Sequence, residues 1–450
     1  GAVIVNTNDP VYYNEGSVRV GFGEYGKQEL NGMANINIVE DVAAVRFSLE
    51  NTQSDGFVNN IIRNEDDYGN SENAIYRMKF LYQPTDNLKS VLSYQRIESI
   101  YGLETTMTGG EFNKADRISI AGDDSTFEID ADLLSLNIDY NIDDEWLMKS
   151  ITAYQSGERL RLSDTDLGPL TVGEGGGIVN QVFKDKNWSQ ELRFNYDNGS
   201  NLRGSSGVYF ANIEADYVQN RNVDLTLSPL FDELAPGLGM ALTTDAVFGF
   251  AIYQPYFDTN QNGFTDVETS TWAVFSEWEY DLDDKWMLSA GVRYDSETQK
   301  FATGSVTTSN SQVPGFLAPP LGDFDMGGFS LNQVIGQINM ELAAFIAPTP
   351  AQSKSEDFSN VLPHVGITYN WNDDVSSSFF IKKSYRSGGS ELTLLSGVNN
   401  FDEEELWNYE ASLRAVVLDG KGVFNTNVYY SDWTDQQVAI QEPGTNSSAF

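Results

Sequence analysis

The chain has 450 residues, 66 acidic against 27 basic side chains, a formal charge of −39, a single histidine and no cysteine. The missing cysteine excludes disulfides, thiol catalysis and thiolate metal sites. The charge disfavours nucleic acid, whose phosphates need Lys and Arg, and no run approaches the length of a transmembrane helix.

Gly1–Pro10 reads as one short strand closed by Asp9-Pro10. Val11–Tyr25 and Lys27–Val39 follow as strands. Inside the first link, Gly21–Gly26 (GFGEYG) matches a nucleotide-binding glycine pattern. That pattern requires a following helix, and the residues after it alternate as a strand. The glycines are therefore assigned to a curved strand and its turn.

Val42–Asn51, Ala74–Tyr82 and Leu88–Tyr101 come next, separated by a polar loop and a tight turn. Leu134, Leu136, Ile138 and Tyr140 alternate with Ser135, Asn137 and Asp139. Trp146–Leu160, Trp188–Tyr196 and Gly204–Gln219 continue the pattern. Thr269–Asp295 is the clearest unit: two alternating runs flank Asp281–Lys285. Period-two patterning places successive side chains on opposite faces of a strand. Phe358–Trp371, Val375–Arg386, Leu406–Leu418 and Gly422–Trp433 complete the pairs, and Gln437–Gln441 begins a further strand. His364, at the start of one run, reads as structural.

Loop lengths carry the architecture. Tight turns follow even-numbered strands and longer connections follow most odd ones, so short turns gather at one end and long loops at the other. Tyr82, Tyr140, Trp146, Tyr196, Tyr280, Trp286, Tyr369 and Trp371 flank the tight turns. Short periplasmic turns, aromatic girdles and half-polar strands describe a transmembrane antiparallel β-barrel. The fold class is thus all-β. Tyr76, Leu136, Phe194 and Leu288 are expected to face lipid, and Arg77, Asn137, Arg193 and Arg293 the lumen. The connections of about fifty residues on either side of Thr269–Asp295 exceed ordinary loop lengths and suggest binding loops. Ser228-Pro229 before LFDEL and the apolar spacing of Leu331–Ile346 predict helical segments inside them.

No catalytic constellation stands out, so the chain reads as a non-enzyme. Asp143-Asp144, Asp283-Asp284 and Asp373-Asp374 are assigned to turn capping. One acidic stretch suggests a metal. Asp258, Asn260, Asn262 and Asp266 follow the oxygen-ligand spacing of a calcium loop, with Gly263 at its sharp turn. The expectation is a weak Ca²⁺ site; no other cofactor is required.

Several segments resemble TonB-dependent outer-membrane receptors. Gly1–Pro10 is similar to the family's final plug strand, and YRSGGS at Tyr385–Ser390 to its F-R-S-G-G-F-N strand end, with Ser390 replacing the aromatic. WNYEASLRAVVLDGKGVFNTNVYYSDWTDQQV at Trp407–Val438 resembles a late barrel hairpin. The resemblance implies a 22-stranded plugged barrel, of which about sixteen strands are present here. Residues 1–10 would be the last strand of the plug domain and 11–450 a partial barrel. Most of the plug and the last strands would lie outside this sequence. It further implies a ligand-gated importer of ferric siderophore or another scarce bulky nutrient in the Gram-negative outer membrane. Its partners would be the TonB energy-transducing complex, outer-membrane lipid and lipopolysaccharide. A passive diffusion porin is the alternative, distinguished by whether a plug precedes Gly1.

Overall fold

The computed structural model describes residues 6–103, 114–234, 236–393, 397–438, 440–441 and 448–449. Its framework is a 15-stranded antiparallel sheet in which neighbours in space are neighbours in sequence. The strands are β1 Glu15–Phe22, β2 Gln28–Val39, β3 Ala43–Ser54, β4 Ser71–Thr85, β5 Leu88–Gly102, β6 Thr126–Asn141, β7 Trp146–Asp164 and β8 Gly177–Asp197. They continue as β9 Leu202–Thr226, β10 Tyr256–Asp281, β11 Trp286–Thr308, β12 Thr349–Asn372, β13 Val375–Arg386, β14 Glu404–Val417 and β15 Gly422–Thr434. Each consecutive pair forms a ladder, and β1 is not paired with β15, so the barrel is open. Among the described residues no helix is long and apolar enough to cross a membrane; the crossings are strands.

The even-strand turns are tight, as the sequence predicts, and the acidic pairs explain how. Asp143 Oδ1 accepts hydrogen bonds from the Glu145 and Trp146 amides, both at 2.9 Å. Asp283 Oδ1 does the same for Lys285 and Trp286, both at 2.8 Å. A short carboxylate side chain thus replaces water on the turn's free N–H groups. Aromatic rings close over these turns: Trp146 and Tyr196 lie 4.8 Å apart, and Trp286 and Tyr369 4.5 Å. In the β1–β2 link, Tyr25 and Gly26 have φ of 58° and 61°. The glycine pattern makes a turn between strands, not a phosphate cradle.

The two faces separate as expected. Tyr76, Phe194 and Leu288 are exposed on the convex face, and Leu136 shares it through its pairing with Leu92 and Thr152. On the concave face, Arg77 donates to Gln95 Oε1 at 2.7 Å. The apolar side chains point outward because lipid is the apolar solvent.

Residues 6–14 lie against the concave face of β2–β4. Asn35, 1% exposed, accepts from the Val11 amide and donates to the Val11 and Tyr13 carbonyls. Lys79 donates to the Thr7 carbonyl and pairs with Asp9 at 2.9 Å. Residues 6–10 form no strand, and the first half of the expected plug strand, 1–5, lies outside the described residues. The expected sixteenth strand does not join the sheet. Ile440–Gln441 pairs with Ser448–Ala449 instead. Gln437 turns the chain inward: its amide donates to Glu404, and its side chain donates to the Ser387 and Asp402 carbonyls.

β8–β11 run 21 to 26 residues, far beyond the roughly ten that cross a bilayer. Their outer halves rise above the membrane and consume much of what the sequence suggests is loop.

Candidate functional site

The concave wall bears ladders of charge. Arg203 pairs with Glu279 at 2.7 Å and Asp281 at 3.0 Å. Higher up, Arg293 grips Asp295 through two parallel N–H···O bonds of 2.8 and 2.7 Å, and Asp295 is 5% exposed. Such a fork is both strong and orienting. The Arg293 guanidinium also lies 5.7 Å from the Tyr209 ring centre, and Arg193 lies 5.4 Å from that of Phe275. His364 occupies the same wall against Gly291, where an added Cβ would fall 2.2 Å from its ring. Arg203, Glu279, Arg193 and His364, with the turn residues below, line a cavity of about 560 Å³.

The Tyr385–Ser390 segment is built for close approach. After β13 the chain forms a short hairpin, Gly389–Thr393 with Gly397–Phe401. A Cβ at Gly388 would sit 2.2 Å from the Phe401 carbonyl oxygen, and one at Gly389 2.9 Å from the Phe401 ring. The backbone contact requires glycine at 388, and a side chain at 389 would displace the Phe401 ring. Asn400 ties the hairpin to Glu356 and accepts from Lys354 at 3.2 Å, while Asn360 donates to Glu403 at 2.8 Å. Beneath it is a cavity of about 350 Å³ bordered by Arg386, Gln299 and Phe301. Arg386 is only loosely held, 3.9 Å from Glu404.

The long connections of β9–β10 and β11–β12 form a structured cap. The first contains α1 (Leu227–Leu234) and α2 (Leu238–Thr243); the second contains α3 (Leu331–Phe345). Ser330 and Gln333 cap α3 reciprocally, which satisfies its first free amides. Phe231, Leu242, Leu331, Ile335 and Ile338 share one buried core. Phe231 and Tyr253 meet edge to face at 5.0 Å. The Tyr253 hydroxyl donates to Asn339 Oδ1 at 2.8 Å, and burial pushes it well above its ordinary range. Leu225 and Phe257, register partners on the concave face of β9 and β10, pack against this core. The cap therefore folds inward over the lumen. The sequence indicates two of these helices; it gave no sign that they meet, because the contacts join residues about a hundred positions apart.

The calcium expectation fails on geometry. Asp258, Asn260, Asn262 and Asp266 lie along the extended strand β10, which rises about 3.3 Å per residue, so the ends of the set are separated by about 26 Å. Three of the four side chains hydrogen-bond elsewhere. Asn222, Asn220, Asn262 and Asn260 donate one to the next in a closed ring across β9 and β10. Asp258 accepts from Ser309, Ser311 and the Asn310 amide; burial alone would raise its pKa, but these bonds hold it low. Asp266 faces Asp216 across the ladder. A D-x-N-x-N-G string reads as a loop only where the chain is free to turn, and here both neighbouring strands hold it straight. Among the described residues no group of three or more His, Asp or Glu is placed to hold a metal.

A meandering sheet of this size, with an apolar convex face, short turns at one end and a cap at the other, defines an outer-membrane-type barrel. The profile of the family described as "TonB dependent receptor-like, beta-barrel" matches residues 67–450, and the chain belongs to that family. Solved structures share the fold. The ferric yersiniabactin uptake receptor FyuA from Yersinia pestis matches at TM-score 0.67 and 16% identity, over 96% of this chain and 56% of that one. The siderophore receptor PiuA from Acinetobacter baumannii matches at 0.61 and 11%, over 94% and 57%. The copper transporter OprC matches at 0.54 and 10%, over 93% and 53%. The chain thus spans little more than half the length of these proteins.

Proposed function

We propose that the chain is the barrel portion of a TonB-dependent importer of the Gram-negative outer membrane. In this reading ferric siderophore, or another scarce bulky nutrient, is captured on the extracellular side. A plug, whose last segment is Gly1–Pro10, is remodelled by the TonB energy-transducing complex to admit it. Lipid and lipopolysaccharide surround the convex face. No bond is made or broken, and no resident cofactor is needed. The observation that carries the proposal is the inward-folded cap over a water-facing, charge-lined wall, in a chain of this receptor family. A passive pore has no use for a cored cap across its mouth.

The test is uptake by receptor-deficient cells expressing the complete gene, supplied with radio-iron in a panel of ferric siderophores. Saturable uptake that needs an energised TonB system, and is lost on deleting residues 332–347 while the barrel still assembles, is the expected result. Uptake linear in concentration and indifferent to TonB would establish a passive pore instead.

A further inference from the structure

The largest cavity described, about 860 Å³, lies between α2 and α3, and nothing above accounts for it. Leu238, Ala241, Val334 and Ile338 form its walls, with Met326 and Phe329 at its margin. Phe329 is 63% exposed beside Gly327 and Gly328, whose φ values of 88° and 101° favour glycine. None of the described lining residues is charged, in a chain of net charge −39. The size lies within the range of small-molecule sites.

Two polar side chains border this apolar space, Gln333 and Gln337, both at exposed positions of α3. Each is half committed. Gln333 Oε1 accepts from the Ser330 amide at 2.7 Å, and Gln337 Nε2 donates to Glu341 at 2.8 Å. Gln333 Nε2 and Gln337 Oε1 make no hydrogen bond within the described residues. One donor and one acceptor are thus left on side chains one helical turn apart, whose Cβ atoms lie about 5–6 Å from each other. The capping box holds the first amide, and the i,i+4 pair favours one orientation of the second.

We infer that this cavity is a ligand-binding site for an uncharged, compact organic molecule with an aromatic or alicyclic body, bearing one hydrogen-bond acceptor and one donor spaced to meet side chains one helical turn apart. The apolar walls take the body; Gln333 donates to its acceptor and Gln337 accepts from its donor. An anionic ligand has no cation to meet here and an acidic chain to approach, so the site discriminates against it. The inference rests on the import reading and narrows it: the cap selects ligands for an apolar, uncharged portion before they reach the charged wall below.

4-Hydroxybenzophenone has this chemistry and crosslinks on illumination. The full-length receptor in outer-membrane vesicles would be photolabelled with it, and with 4-benzoylbenzoate, the same body bearing a carboxylate; labelled peptides are read by mass spectrometry. Saturable labelling confined to the peptides of α2 and α3, at least tenfold weaker with the carboxylate, is expected. V334K should abolish it. Q337L, on an exposed helical position that keeps the fold, should remove the preference for 4-hydroxybenzophenone over benzophenone. Equal labelling by the carboxylate, unsaturable labelling along the barrel, or indifference to both substitutions would overturn the inference. Radio-iron uptake in the same cells separates the two proposals: uptake that needs TonB and residues 332–347 without cap labelling leaves the import reading standing and removes this one.

Discussion

The barrel wall and the cap solve the burial problem in opposite ways. Along the wall, one sheet has apolar side chains outside and arginines, aspartates and glutamates inside; Tyr76, Phe210 and Trp272 are all exposed on the convex face. In the cap, Leu227, Phe231, Leu242, Leu331 and Ile335 are at most 1% exposed, packed among three helices as in a soluble domain. The wall derives its stability from lipid and a continuous ladder of backbone hydrogen bonds, the cap from close packing. What is apolar must leave water in both, but only in the cap does the protein itself supply the other side.

That contrast can be broken by mutation. Phe231→Ala opens a hole at the centre of the cap core and should cost about 3–5 kcal/mol. The expected outcome is loss of cap protection from proteolysis with barrel assembly unchanged; loss of both would show that cap and wall fold as one unit. Leu136→Arg puts charge on the lipid face and should cost about 2–4 kcal/mol near the midplane, whereas Asn137→Arg on the concave face should be nearly silent. Assembly yields in liposomes compare them, and equal yields would refute the face assignment.

Two smaller effects test the rim between the regions. Asp216 and Asp266 oppose each other directly, and burial together with Asp216's charge raises the Asp266 pKa. Asp266→Asn should therefore stabilise the protein at neutral pH, by about 0.2–1 kcal/mol, seen as a higher unfolding midpoint. Had the residue been a calcium ligand, the same change would weaken a calcium-dependent stabilisation. Finally, burial and then the neighbouring Asp164 push the Asp166 carboxyl up to about 6. A raised carboxyl pKa means the folded form holds its proton more tightly, so this stability is fully present only below the carboxyl's ordinary value of 3.8 and is lost as pH rises from there through about 6. Hydrogen exchange of residues 165–176 should be faster, relative to the intrinsic rate, at pH 8 than at pH 5, and Asp166→Asn should remove the difference.

The sequence by itself determined the strand portions next to the tight turns, their order and their faces. A period of two is a local property: Trp272 and Ala273 take opposite sides of β10 whatever lies beyond, and Asp283 caps its turn with atoms two and three residues away. The parity of loop lengths then placed all tight turns at one end. The two helical segments were legible for the same reason, through N-cap residues and a 3.6-residue spacing. Only the tertiary structure decided where the long connections went. Whether Asp258–Asp266 would turn around an ion or run straight depended on Asn220 and Asn222 in β9 and on Ser311 just after β11. Whether Gln437 would begin another strand depended on Glu404 and Ser387. The cap core depended on Tyr253 meeting Asn339, 86 residues away. Contacts between distant segments leave no periodicity in either one, because each need only be apolar or hydrogen-bonding at a single place, and which partner fills that place is settled when the strands bring the loops together.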